Sequence, residues 1–329
     1  MKNDILAIGD IVIDNFIRLK EAQVTGDPEH PTLCMRFADK IPFEYSVEVP
    51  AVGNASNAAV AAAKLGVPAA LHAYVGNDEH GVRCLDALKV ADVDTALMET
   101  QDGKHTNYHF VLWFEDERTI LIKHEMFDYT TPKAAEAPAW VYLSSLSGNS
   151  LPYHAQLAAQ FAAWPDTKLA FQPGTFQIKF GAEALRDIYA RTYIFFCNKE
   201  EAQIITGSSS EDSRELLREL RALGPKIVVI TDGHFGAYAL DEQDQMWNVP
   251  TYPDPKPPFE RTGAGDAFAS TVVAALALGL PLEQALLWGP INAMGVVQEI
   301  GAQKGLFTRE QIEKLLAEAP ESYKLTPLL

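Results

Sequence analysis

The sequence predicts an α/β fold: a mostly parallel sheet covered by helices on both faces, with a smaller sheet outside it. Short apolar runs alternate with helical segments along most of the chain, the pattern of strands buried on both faces. Two further segments break that rhythm with a strand-like alternation of their own.

In order, "ILAIGDIVI" (5–13) reads as a buried strand. "NASNAAVAAAKLG" (54–66) reads as a helix, with Asn54 as its N-cap and Gly66 closing it. "AALHAYVG" (69–76) is a strand again, and a helix follows over roughly 79–89. The later strands are "VYLSSL", "KLAFQ", "YIFFC" and "KIVVIT", with helical segments between most of them. In "KIPFEYSVEVP", residues Ile41, Phe43, Tyr45, Val47 and Val49 share one face, which predicts a strand with that face buried. In "KHTNYHFVLWFEDERTILIKH", two β-rich runs flank Glu115-Asp116-Glu117 and predict a hairpin. These segments, at about 33–51 and 104–125, suit a lid or an oligomer interface; the plainer alternative is an edge extension of the main sheet. The proline-rich "VPTYPDPKPPFE" has a linker's composition, but its shortness predicts a constrained loop within one domain spanning 1–329.

The net charge of −17, with no basic block, argues against nucleic-acid and anionic-membrane partners. The opening "MKNDILAIGD" lacks the basic and apolar segments of a secretory signal, and "VVAALALGL" is about half the length a membrane span needs. Three widely spaced cysteines, Cys34, Cys84 and Cys197, form no disulfide or zinc pattern and suit a reducing compartment. A cytoplasmic protein is expected.

Chemistry concentrates at "ERTGAGDAFAS" (260–270), where Gly263-Ala264-Gly265 precedes a nearly all-apolar helix ending at Gly279. The first turn of such a helix offers backbone N–H groups and a positive dipole end to an anion. Asp266 would stand beside that anion; the plainer reading is a carboxylate that only favours the helix terminus. The stretch is neither a P-loop nor a dinucleotide fingerprint, since GxxxxGK[ST] is absent and the third glycine position falls on Phe268.

Five other segments accompany it in order: "IGDIVIDNF" (8–16), "VGNASNAAVAAAKLG" (52–66), "NKEEAQIITG" (198–207), "ITDGHFGAYAL" (230–240) and "GPINAMGVV" (289–297). As a set, they make the whole chain resemble the ribokinase (PfkB-type) family of carbohydrate and nucleoside kinases. The resemblance implies a ribokinase-like three-layer α/β/α sandwich with a small β-sheet lid. It implies transfer of the γ-phosphoryl group of ATP to a hydroxyl of a sugar or nucleoside, with Mg²⁺, and a homodimer through the lid. Asp266 then corresponds to the general base, and the N–H groups of Gly263, Ala264 and Gly265 to the anion hole. Asn198 and Glu201 match an NxxE pair that supports Mg²⁺ and phosphate largely through water, although the same pair reads equally as a capping box. Thr231, Gly233 and Gly236 match a turn lining the nucleotide site, with Asp232 as spectator or repulsive neighbour. Asn292 matches an asparagine near adenine, or else a polar residue satisfied within its helix. Asp14, Gly53, Asn54 and Asn57 match acceptor-binding positions, and Asn107 or His109 could close over the acceptor from the lid.

Departures from the family pattern are Glu260-Arg261-Thr262 in place of Asp-Thr-Thr, Val52 in place of a glycine, and Gln172-Pro173 in place of Asp-Pro. The first argues against K⁺ activation and offers Arg261 to a phosphate. All three are expected to lie outside the catalytic core, leaving acceptor identity open. The rival readings are a non-catalytic ligand-binding relative and a dinucleotide oxidoreductase; the latter needs a glycine-rich turn after the first strand, which "IGDIVID" lacks.

Overall fold

The computed structural model describes residues 4–27, 30–115, 117–259 and 261–328. Nine strands form the main sheet, in the spatial order Thr326–Pro327, Met246–Val249, Ala237–Leu240, Ile227–Thr231, Thr192–Asn198, Lys168–Phe171, Trp140–Leu143, Ile5–Ile8 and Ala69–His72. From Ile227–Thr231 to Ala69–His72 every pairing is parallel, and the remaining edge is antiparallel.

Alternation along each strand feeds two cores, which is why these strands read as continuous apolar runs. Ile5, Ala7, Tyr142, Ala170, Ile194 and Val229 face the helices Asn54–Lys64, Ala264–Ala277 and Leu282–Val296. Leu6, Ile8, Val141, Phe171, Phe195 and Val228 face Leu151–Ala162, Arg186–Arg191 and Ser213–Ala222 on the other side. The result is the expected three-layer sandwich. Among the described residues, no helix is long and apolar enough to cross a membrane.

A separate four-stranded sheet is ordered Glu117–Leu121, Asn107–Phe114, Val12–Leu19, Phe43–Val52. Its strand Val12–Leu19 corrects the reading of "ILAIGDIVI" as one element. The chain leaves the main sheet after Ile8, turns through Gly9 and Asp10, and enters the small sheet at Val12. The apolar run hides this change of sheet, because both strands are largely buried and only Gly9-Asp10-Ile11 separates them. A Cβ at Gly9 would lie 2.8 Å from Ala55 Cβ and 3.0 Å from Ser145 O, so the turn runs close against the body.

Two other readings are corrected. Asn54 is not a cap: Gly53 takes that position at φ 109°, and Asn54 is the first helical residue. The apolar face of the Phe43–Val52 strand is open rather than buried at its outer end, with Phe43 54% and Tyr45 37% exposed, although Tyr45 meets Trp113 edge to face at 6.3 Å. Glu115, at φ 56°, leads into the hairpin turn, whose Asp116 lies outside the described residues.

Candidate active site

The Ala264–Ala277 helix begins where Gly263 adopts a left-handed conformation at φ 81°. A Cβ there would lie 2.2 Å from Ala302 Cβ, so both conformation and space call for glycine. Ala267 N–H donates to Gly263 O at 2.8 Å, whereas Ala264 N–H makes only a long 3.5 Å contact with Arg261 O. The N–H groups of the first turn therefore point out of the positive helix end. Gly265 is exposed, and a Cβ on it would meet nothing within 4 Å.

Three side-chain amides converge on the Asp266 carboxylate. Asn54 Nδ2 (2.8 Å) and Gln172 Nε2 (3.1 Å) donate to Oδ1, and Asn57 Nδ2 (2.9 Å) donates to Oδ2. These donors are themselves held. The buried Tyr142 hydroxyl donates to Gln172 Oε1, and Gln303 Nε2 donates to Asn57 Oδ1 at 2.9 Å and to Ala51 O at 2.7 Å. Burial pushes the Asp266 carboxyl above the usual aspartate range. The amides pull it down, Asp14's charge pushes it further up, and the net direction is upward. Asp266 is thus an oriented carboxylate, more basic than an ordinary aspartate, beside an open helix N-terminus.

Gln172 overturns the expectation that the departures lie outside the core, since it touches Asp266 directly. Asn54 and Asn57 also meet Asp266, so their first role here is to fix its carboxylate. Val52 is buried, and Glu260 lies outside the described residues. Gly53 is required where it stands: a Cβ would lie 2.7 Å from Asp10 O.

On the small-sheet side, Asp14 and His109 are cross-strand partners, with Asp14 Oδ1 3.3 Å from His109 Nδ1. Asn107 does not reach toward an acceptor. Its amide donates to Ile11 O at 3.0 Å and accepts from Glu125 N–H at 2.7 Å, which ties it to main chain at both ends. Sequence reading missed Asp10 and His124, which make a second carboxylate–imidazole contact of 3.4 Å. Asp10 carried a signal as a carboxylate interrupting the apolar run "ILAIGDIVI"; His124, in an irregular segment, carried none.

On the opposite side, Asn198 and Glu201 form a reciprocal capping box on the Lys199–Thr206 helix. Asn198 Oδ1 accepts from Glu201 N–H at 2.8 Å, and Glu201 Oε2 accepts from Asn198 N–H at 2.9 Å. Burial pushes the Glu201 carboxyl up; the Asn198 N–H offsets this in part, and Asp266 and Glu200 add to the rise. Thr231 is the register partner of Asn198, which places both at the same end of the sheet. Gly233 and Gly236 have φ of 53° and 94°, and a Cβ on Gly236 would lie 2.2 Å from Val249 O. Asp232 Oδ2 lies 3.9 Å from Lys199 Nζ, so its charge faces a cation.

Asn292 is held by internal bonds. It is fully buried, donates to Thr271 Oγ1 at 2.7 Å and accepts from Phe307 N–H at 2.7 Å. It braces two helices and the 307 segment, and no part of it is exposed to a ligand. Among the described residues, no group of three or more His, Cys, Asp or Glu forms a ready metal cage. The oxygen donors of Glu201 and Asn198, in an acidic neighbourhood, fit a hard cation that keeps most of its waters.

Comparison with known proteins places the fold and the family. The chain is 27% identical over 285 residues to the 5-dehydro-2-deoxygluconokinase of Shouchella clausii, covering 81% of this chain and 86% of that one. Its fold is similar to that of Arabidopsis thaliana ribokinase complexed with ribose and ATP, with a TM-score of 0.79, 19% identity and coverage of 96% and 99%. It is also similar to the nucleoside kinase of Methanocaldococcus jannaschii, with a TM-score of 0.77, 20% identity and coverage of 97% and 99%. A family model described as pfkB family carbohydrate kinase matches residues 35–309, and the chain belongs to that family.

Proposed function

We propose that this chain transfers the γ-phosphoryl group of ATP, with Mg²⁺, to a hydroxyl of a sugar or sugar-like acceptor held beneath the small sheet. The observation that carries the reading is the convergence of Asn54, Asn57 and Gln172 on Asp266 at an open helix N-terminus. Asp266 takes the acceptor's hydroxyl proton as the new O–P bond forms and the bond to the departing ADP breaks. The first-turn N–H groups of Gly263, Ala264 and Gly265 face the transferring group and hold its charge. When bound, Mg²⁺ neutralises charge on the phosphate oxygens.

Asn198 and Glu201 would hold the metal through water, and Thr231, Gly233 and Gly236 would line the nucleotide side. Asp14 and His109 approach the acceptor from the lid, which excludes water as it closes. A homodimer through the lid's open apolar face accords with its exposure. A nucleoside acceptor is the second reading, supported by the likeness to a nucleoside kinase.

The test is acceptor-dependent ADP release with Mg·ATP, comparing wild type with Asp266→Asn. The variant should lose on the order of 10²–10⁴-fold in turnover while still binding ATP. Near-normal turnover in Asp266→Asn would remove Asp266 from the role of base.

A further inference from the structure

We propose that Asp10 and His124 form the second half of an acceptor clamp, beside Asp14 and His109, and that this clamp selects neutral polyhydroxyl acceptors over those bearing a carboxylate or phosphate. The inference rests on the kinase reading above and adds the acceptor's charge class and two specificity-determining residues.

Four buried polar atoms in this enclosure have no hydrogen-bond partner: Asp10 Oδ2, His124 Nδ1, Asp14 Oδ1 and His109 Nε2. Asp10 is 5% and Asp14 8% exposed. Each carboxylate lies near an imidazole, at 3.4 Å and 3.3 Å, yet neither contact is aligned as a hydrogen bond. The two imidazole rings meet edge to face with centroids 5.2 Å apart, which sets the two carboxylate–imidazole pairs side by side, and Phe176 closes the His124 side at 5.6 Å. Native interiors rarely leave such atoms unsatisfied, and several in one place point to a ligand that completes them. A hydroxyl suits them because it donates to a carboxylate and accepts from an imidazole N–H. Two such pairs side by side suit a compound that presents several hydroxyls.

Asp10 is prepared for this task. Tyr129 donates to its Oδ1 at 2.9 Å while pairing with Ser147 Oγ at 2.8 Å, and Tyr129 is stacked on Tyr153 at 5.2 Å. One carboxylate oxygen is therefore fixed from behind and the other is left for a ligand. Tyr129 acts through Asp10 and is a positioning residue.

The charge class follows from what lies within reach of the enclosure; Arg18 and Arg118 stand two rows further out on the same face, where Arg18 donates to Glu115 O and stacks over Trp113. Asp10, Asp14 and Asp266 are all carboxylates. Among the described residues, the only cationic-type nitrogens within 4.0 Å of Asp10 or Asp14 are those of His124 and His109. Carboxylates and phosphates are recognised by guanidinium or ammonium groups, and an anionic acceptor here would meet like charges in a poorly solvated site.

The experiment is calorimetric titration of the full chain, without ATP, with free pentoses, hexoses and nucleosides and with the corresponding aldonic acids and sugar phosphates. A neutral polyol should bind, its anionic counterparts should bind at least about 10-fold more weakly, and Asp10→Asn and His124→Ala should each weaken the neutral ligand about 10- to 100-fold. Tyr129→Phe should raise KM for the acceptor with little change in kcat, a split that a general loss of structure does not produce. The clamp is overturned if an anionic counterpart binds more tightly than the neutral compound, if no neutral polyol binds, or if folded Asp10→Asn keeps wild-type affinity. Should Asp10→Asn not fold, the wild-type ranking of neutral against anionic ligands decides. ADP release is read separately. Binding of a neutral polyol without ADP release would defeat the kinase reading alone, and ADP release favouring an anionic acceptor would defeat the clamp alone.

Discussion

Gln172 Nε2 stands 3.1 Å from Asp266 Oδ1, on the same oxygen that Asn54 reaches at 2.8 Å. Two neutral donors on one oxygen and a third on the other leave the carboxylate little rotational freedom. Their hydrogen bonds favour the ionised form, yet burial outweighs them and the pKa is raised. In the proposed role of base, Asp266 works only when ionised. The acid limb of kcat/KM should therefore fall at a pH above the ordinary aspartate value of 3.8, losing activity as pH drops through the raised pKa. A pH–rate profile checks this, and an acid limb at or below the ordinary value would contradict the assignment.

Gln172 offers a sharper version of the same test. Gln172→Glu places a second carboxylate against Asp266, and like charges sharing a site raise one pKa strongly. The acid limb should move up further while the fold persists, because Glu can still accept the Tyr142 hydroxyl bond. Gln172→Leu should instead lower kcat by about 10-fold, the equivalent of one lost hydrogen bond to a charged group, and leave the limb where burial sets it or higher. Equal limbs in wild type and Gln172→Glu would mean that the contact does not tune the base.

The placing of Asp266 and Gly263 at the start of a buried helix is readable from sequence because the glycines, the carboxylate and the helix are contiguous. The strands of the main sheet were readable for a similar reason, each being a short apolar run. What surrounds Asp266 comes from distant segments: Asn54 and Asn57 from one helix, Gln172 from the end of a strand, Gln303 from a loop. No local pattern marks Gln172 as a partner of Asp266, since a glutamine after a buried strand is equally a solvated residue. The Asp10–His124 contact depends on a turn between two sheets that reads as one apolar strand. Asn292 is a polar residue in a recognisable motif whose hydrogen bonds are internal, which sequence alone cannot tell from a ligand contact.

The two glycines of the cradle should separate stability from chemistry. Gly263→Ala forces a left-handed alanine against Ala302 and should destabilise the fold by about 1–3 kcal/mol. Gly265→Ala meets nothing and adds helix propensity, so its thermal midpoint should equal or slightly exceed that of wild type. Its turnover should nevertheless fall, because the new methyl group stands where the transferring phosphoryl group must approach. Thermal denaturation beside steady-state kinetics tests both, and full activity in Gly265→Ala would remove the first turn from the anion hole.

Asn198 and Glu201 invite a similar separation, since the capping box accounts for both residues structurally. Glu201→Gln keeps an oxygen for the Asn198 N–H and so keeps the cap, while removing the charge. If Glu201 serves only the helix, kinetics will not change. If it supports the metal, the Mg²⁺ concentration for half-maximal rate should rise several-fold with no change in thermal midpoint. A magnesium titration at saturating ATP distinguishes the two.

The face of the small sheet that carries Asp14 and His109 continues outward without a change of side. Register places Val47, Phe16, Val111 and Ile120 in one row across the sheet, and Tyr45, Arg18, Trp113 and Arg118 in the next. The inner part packs on the body, where Trp113 meets Phe259 edge to face at 5.0 Å. Beyond it, Tyr45 and Ile120 are each 37% exposed, and Phe43 at the strand's end is 54% exposed. An apolar surface adjoining an acceptor site is a natural interface, and a second copy of this sheet would cover it while limiting solvent at the site. Sedimentation velocity should therefore show a dimer at micromolar concentration. Tyr45→Glu combined with Ile120→Lys should give a folded monomer with a raised KM for the acceptor, because the lid loses its outer support. A wild-type chain that sediments as a monomer throughout that range would leave this face without a partner subunit, and the double variant would then bind acceptor as wild type does.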